Sequence, residues 1–151
     1  MSINNTVIIP NNSIRFRIIA NSNSEIDQNT KINIKKDLES TLFPKLQNSN
    51  SKEETKKIIE ENENLIEETI NKYNIPYSIN YGNNYFPVKE YKGINYPEGE
   101  YESLVISLGE AKGNNWWCIM YPPLCLIESK EDQIEENEYK FFIKEIINKI
   151  A

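Results

Sequence analysis

Apolar positions change their spacing along the chain, and the changes divide it into elements. Ile14-Arg15-Phe16-Arg17-Ile18-Ile19-Ala20 alternates and then turns apolar, which predicts a strand entering a buried sheet. Asn21-Ser22-Asn23-Ser24 is a cluster of helix-starting residues, with Asp27 three positions after Ser24 as in a capping box. Ile26, Ile34, Leu38, Leu42 and Leu46 then recur at helical spacing, and Pro44 kinks or ends that helix. After polar Gln47 to Asn50, Ser51 to Glu54 forms a second capping box. It opens a helix to about Tyr73, with Ile58, Ile59, Leu65, Ile66 and Ile70 on one stripe. Glu60, Glu61, Glu63, Glu67 and Glu68 lie off that stripe, as a solvated face does.

The period then drops to two. Tyr77, Ile79 and Tyr81 alternate, Gly82-Asn83-Asn84 carries turn chemistry, and Phe86 to Tyr91 reads as an edge strand because it holds Pro87. Lys92-Gly93 and Pro97-Glu98-Gly99 are turns around Ile94-Asn95-Tyr96. Tyr101 to Leu108 is the strongest strand, and Gly109 to Asn115 is a loop without phosphate-binding spacing. Tyr139, Phe142, Ile143, Ile146, Ile147 and Ile150 form a last amphipathic helix after a charged linker from Glu128 to Glu138. Strand, two long helices, several strands and a helix give an α+β fold, with a mostly antiparallel sheet covered by helices. Residues 1–13, rich in Asn, read as a flexible tail. Residues 14–128 form the domain, and 129–151 a linker and helix that docks on it.

The chain has 151 residues, a net charge of -6 and no histidine. The length suits one domain. The acidic balance without a basic run argues against nucleic acid as a partner. The missing histidine removes Ser-His-Asp and Cys-His catalysis and most zinc enzymes. No cofactor is implied. No apolar run reaches the roughly 18 residues of a membrane span, and the chain reads as soluble.

Both tryptophans and both cysteines fall in Trp116-Trp117-Cys118-Ile119-Met120-Tyr121-Pro122-Pro123-Leu124-Cys125. If Tyr121 to Leu124 makes a tight turn, the cysteines face each other across a hairpin within bridging distance; the other reading is two buried thiols. Either X-Pro bond is a candidate for the cis form. In an extended segment Trp116 and Trp117 point to opposite faces, so one enters the core and the other is available to a partner. Arg15, buried in the first strand, needs a carboxylate, and Asp27 is near in sequence. Glu98, Glu100 and Glu102 flank the strongest strand. Paired carboxylates serve glycoside hydrolysis, but glutamates beside a turn more often face solvent.

The run from Ile14 to Ser24, followed by Asp27-Gln28 and Lys31, resembles the opening of the stage II sporulation protein R family. Tyr85-Phe86-Pro87 with Pro97 to Leu104 resembles its middle motif, and Asn115-Trp116-Trp117-Cys118 with Tyr121 to Cys125 its most distinctive one. The likeness covers about residues 14–127. Arg17 stands where the family has His, and Asn23 where Asp is usual. The resemblance implies a non-enzymatic signal made in the forespore and exported into the space between forespore and mother cell. There it triggers a membrane-embedded aspartic protease that removes the pro-sequence of sigma-E. An export signal, absent from this sequence, belongs to that picture, and export is compatible with a Cys118–Cys125 disulfide. Trp116, Trp117, Tyr121, Pro122 and Pro123, with Asn21, Ser22 and Arg15, are the expected partner-facing residues. A different class is an extracytoplasmic module that binds cell-wall glycan by stacking sugars on exposed Trp and Tyr.

Overall fold

The computed structural model describes residues 7–150. Seven strands and six helices follow one another as β1 (Val7–Ile8), β2 (Ile14–Ile19), α1 (Glu25–Thr41), α2 (Phe43–Leu46), α3 (Lys52–Glu61), α4 (Glu63–Asn71), β3 (Tyr77–Phe86), β4 (Lys89–Tyr91), β5 (Ile94–Tyr96), β6 (Gly99–Leu108), β7 (Asn115–Tyr121), α5 (Cys125–Glu128) and α6 (Glu136–Ile150). The fold is α+β. A four-stranded sheet has the order β3-β6-β2-β7 and a three-stranded one the order β1-β5-β4. Two pairings, β2 with β6 and β1 with β5, are parallel; the rest are antiparallel.

Alternation along β2 decides the architecture. Ile14, Phe16 and Ile18 point to one face, where they pack with Ile34, Leu38, Phe43, Ile59, Ile66 and Ile70 of the helices. Each such fully buried aliphatic side chain contributes roughly 2 kcal/mol. Arg15 and Arg17 point to the other face. That face is partly covered by a second core in which Ile9, Ile94, Tyr96, Ile119, Leu124, Tyr139 and Ile143 meet. The large sheet therefore lies between a helical layer and a smaller layer made of the second sheet and α6.

Several expectations change. Residues 7–13 of the expected tail are structured: β1 pairs with β5, and Ile9 is fully buried. Residues 1–6 lie outside the described residues. Ile26, counted with the apolar stripe, is 78% exposed, while Lys31 is buried on α1. The second long helix is broken at Asn62, whose side-chain amide donates to the Ile58 carbonyl at 2.7 Å. A side chain that competes for the backbone carbonyl in this way ends a helix turn. Gly82-Asn83-Asn84 is not a turn. β3 runs through it because β6 supplies an unbroken partner, from Tyr77↔Leu108 to Phe86↔Gly99. Pro87 and Val88 then separate β3 from β4, as a residue without an N–H does. The linker expected from Glu128 to Glu138 starts later: Glu128 closes α5 and is buried, residues 130–135 connect it to α6 through a short 3-10 turn, and beyond it Tyr139 and Ile143 anchor α6 in the second core.

Candidate functional site

Two neighbouring constructions hold the residues of the three sequence motifs. The first is a clamp between the β2–α1 loop and the loop from β6 to β7. Asp27 Oδ2 accepts hydrogen bonds from Asn21 Nδ2 at 2.8 Å and from Ser22 Oγ at 2.6 Å. Its own amide donates to Ser24 Oγ at 3.1 Å, which caps α1. The Ser22, Asn21 and Ser24 bonds hold the Asp27 carboxyl below the usual carboxylate range. The loop so fixed then grips its neighbour. Asn21 Oδ1 accepts the Glu110 amide at 2.7 Å and Asn23 Oδ1 the Asn114 amide at 2.7 Å. The Lys112 and Gly113 amides donate to the Asn21 and Ala20 carbonyls. From α1, Gln28 Nε2 reaches Ser22 O and Lys31 Nζ reaches Asn114 O at 3.1 Å. Burial lowers the Lys31 ammonium from its ordinary value.

Space here is tight. A Cβ on Gly113 would fall on the Ser22 carbonyl, and one on Gly109 would fall on the Asn21 side chain. Gly109 also has φ +54°, where glycine is favoured. Trp116 sits just beyond the clamp, half-buried, stacked on Phe43 at 6.2 Å with the Lys35 ammonium 5.0 Å from its ring.

The second construction is the aromatic pocket of Arg15. Its guanidinium is fully buried, 3.6 Å from the Tyr101 ring centre and 5.0 Å from Trp117. Nη2 donates to the Pro97 carbonyl at 3.2 Å, while Nε and Nη1 have no hydrogen-bond partner among the described residues. Stacking on ring faces replaces part of the lost hydration. Burial pushes Arg15 down to about 10, against the attraction of Tyr101 and Glu128. The expected pairing with Asp27 is therefore corrected. Strand alternation sends Arg15 to the sheet face opposite α1, and Asp27 spends its carboxylate on the clamp. Arg17 lies beside it over Phe86, donating to the Tyr85 carbonyl at 2.6 Å.

Glu128 links this pocket to the cysteines. Its Oε1 accepts the Ile119 amide at 2.7 Å and its Oε2 the Tyr96 hydroxyl at 2.6 Å, with Tyr139 Oη 3.1 Å further on. Burial first, then the Glu128 charge, holds the Tyr96 phenol well above its ordinary value. Cys118 and Cys125 form a disulfide, S–S 2.06 Å with Cα atoms 5.0 Å apart. It joins a strand to a helix rather than two strands of a hairpin: after the cis Tyr121–Pro122 bond the chain enters α5. Both sulfurs lie near the Glu128 carboxylate, but bonded to each other they offer no thiolate to a metal.

The structure thus sorts the expected partner-facing residues. Arg15, Tyr121, Pro122 and Pro123 are buried, while Asn21, Ser22, Trp116 and Trp117 are half-buried. Trp117 is enclosed edge-on by Phe86 and Tyr96, with Lys89 Nζ 4.9 Å from its ring. Glu102 is held by the Tyr81 hydroxyl at 2.5 Å and by Lys52 at 3.2 Å, and Glu98 by the Tyr85 hydroxyl at 2.8 Å. Sequence reasoning missed Glu128, Tyr96 and Tyr139. The available signal was an acid placed directly after Cys125-Leu126-Ile127, where an apolar segment ends.

Comparison with known proteins agrees with these motifs. The family model described as stage II sporulation protein R matches residues 10–131. A relative named stage II sporulation protein R, from Bacillus subtilis (strain 168), is 35% identical over 154 residues, covering 97% of this chain and 69% of its own length. No solved structure matches. The clamp, the Arg15 pocket and the disulfide segment are built from residues inside the matched region, and the chain belongs to the stage II sporulation protein R family.

Proposed function

We propose that this sporulation protein is an exported signal that activates the membrane-embedded aspartic protease processing pro-sigma-E. On this reading it couples forespore to mother-cell gene expression. The observation that carries the reading is the family match across nearly the whole chain. The disulfide supports it, because such bonds persist outside the reducing cytosol. No helix among the described residues is long and apolar enough to cross a membrane. The signal works as a binding protein: it favours the active protease by contacting that conformation better than the inactive one.

Asn21, Ser22 and Trp116 are the contact residues in this reading, since they lie together at the clamp end of the sheet with part of their surface exposed. Arg15, Tyr121, Pro122 and Pro123 are buried, and on this reading they support the fold and do not touch the partner. The test is reconstitution in a non-sporulating bacterium that co-expresses the protease and pro-sigma-E. The chain is supplied with and without an export signal, and pro-sequence cleavage is scored. Cleavage only with the exported form is the expected result. Cleavage with neither form, while the protein is folded and secreted, would sink the proposal.

A further inference from the structure

The large sheet has two edges and treats them differently. At β7 the Ile119 amide goes to Glu128 and the Ile119 carbonyl accepts the Leu124 amide, so the α5 segment covers that edge at Ile119. β3 has no strand beyond it among the described residues. Its ten residues, Tyr77–Phe86, include no proline and no charge. Those are the usual devices that blunt an open edge. At Ile79 and Tyr81 this strand borders a cavity of about 200 Å³ whose walls also hold Ile59, Ile66 and Leu104. Glu60 and Glu63 stand at its mouth, exposed, with no lysine or arginine at ion-pair distance among the described residues. Lys56, at the same mouth, is occupied by Glu102 at 3.6 Å.

We propose that the β3 edge and this cavity form a docking site for an extended, basic segment of a partner protein, which adds to the sheet as a fifth strand. The outward N–H and C=O groups of β3 bond the incoming backbone whatever its sequence. Every second side chain of the added strand faces the cavity, which selects aliphatic residues there. Glu60 and Glu63 select lysine or arginine flanking them. The site is a surface separate from the clamp residues and does not depend on the protease being the partner.

The test uses the full chain labelled with ¹⁵N and a short synthetic peptide of alternating valine and threonine with lysine at both ends. Amide signals of residues 77–82 shift on titration and gain protection from hydrogen exchange. N-methylation along the peptide edge that faces β3 abolishes binding, and methylation along its other edge does not. Glu60→Lys with Glu63→Lys, both on exposed helix positions, weakens the lysine peptide by about tenfold and favours a glutamate-ended peptide. No shift in β3 at millimolar peptide overturns the proposal. Equal binding of both methylated peptides does so as well. A dimer of the chain itself formed through β3, seen by sedimentation, would replace the partner segment by a second copy.

Discussion

Gly113→Ala is the most exacting check on the clamp. Gly113 is required for room: a Cβ there would lie 2.6 Å from the Ser22 carbonyl carbon and 2.9 Å from Ala20 Cβ, besides striking the Ser22 oxygen. Two of those three atoms are backbone, so no flexible side chain can swing away, and the loops must part. Parting costs the Gly113 amide bond to Ala20 O at 2.8 Å, the Lys112 amide bond to Asn21 O at 3.1 Å, and the Asn114 amide bond to Asn23 Oδ1 at 2.7 Å. At about 1 kcal/mol net each, the loss is about 3 kcal/mol. For a domain of this size that lowers the Tm by about 6–12 °C. Ala111→Gly is the matched control. Ala111 already has φ +54°, so glycine relieves strain there while adding freedom to the unfolded chain, and the Tm stays within about 2 °C. Thermal unfolding by circular dichroism gives both numbers, and hydrogen exchange shows whether residues 110–114 lose protection. A Gly113→Ala protein that melts with the wild type would refute the clamp as a mechanical unit.

Other outcomes follow from the same geometry. Reducing the disulfide, or replacing Cys118 and Cys125 together by serine, opens a loop of sequence separation 7 and costs about 2.5 kcal/mol, read as a lower urea midpoint; an unchanged midpoint would contradict it. Glu128→Ala strands the Ile119 amide and the Tyr96 hydroxyl and costs about 3 kcal/mol, and a loss below about 1 kcal/mol would show that another group serves them. Burial with the Asp37 hydrogen bond raises Tyr73 to about 12, and burial with Glu102 and with Glu128 raises Tyr81 and Tyr96. The unfolded chain releases these protons near pH 10 while the fold retains them. Their contribution is therefore complete below about pH 10 and is lost as pH rises through the folded values; a flat urea midpoint across that window would contradict the assignment. Trp116→Ala, with the fold intact by circular dichroism, lowers pro-sequence cleavage in the reconstituted system, and full cleavage would remove Trp116 from the contact surface.

Much of this was legible because local signals were strong. The alternation of Ile14, Phe16 and Ile18 announced a strand with one apolar face, and Ser24 and Ser51 announced the helix starts they cap. The opposite faces of Trp116 and Trp117 followed from extension alone, and the two rings sit in different cores. What failed depended on partners distant in sequence. Gly82-Asn83-Asn84 has turn composition, yet β6 pairs along it without a break. Arg15 seemed to need Asp27, yet its neighbours are the rings of Tyr101 and Trp117, more than eighty residues away, which periodicity cannot identify. Glu128 looked like the first charge of a linker; its place directly after Cys125-Leu126-Ile127 hints at burial but not at the strand edge it caps. The open β3 edge is likewise visible only once the strand order is known.

On the proposed function, the folded, disulfide-bonded domain is itself the signal. The direct measurement adds the purified oxidised chain to proteoliposomes that hold the protease and pro-sigma-E in one orientation, and follows removal of the pro-sequence over time. If that function holds, processing accelerates only when the chain is added on the extracytoplasmic side, with the Trp116→Ala variant weaker than wild type. Processing that is unchanged by the chain on either side would contradict it.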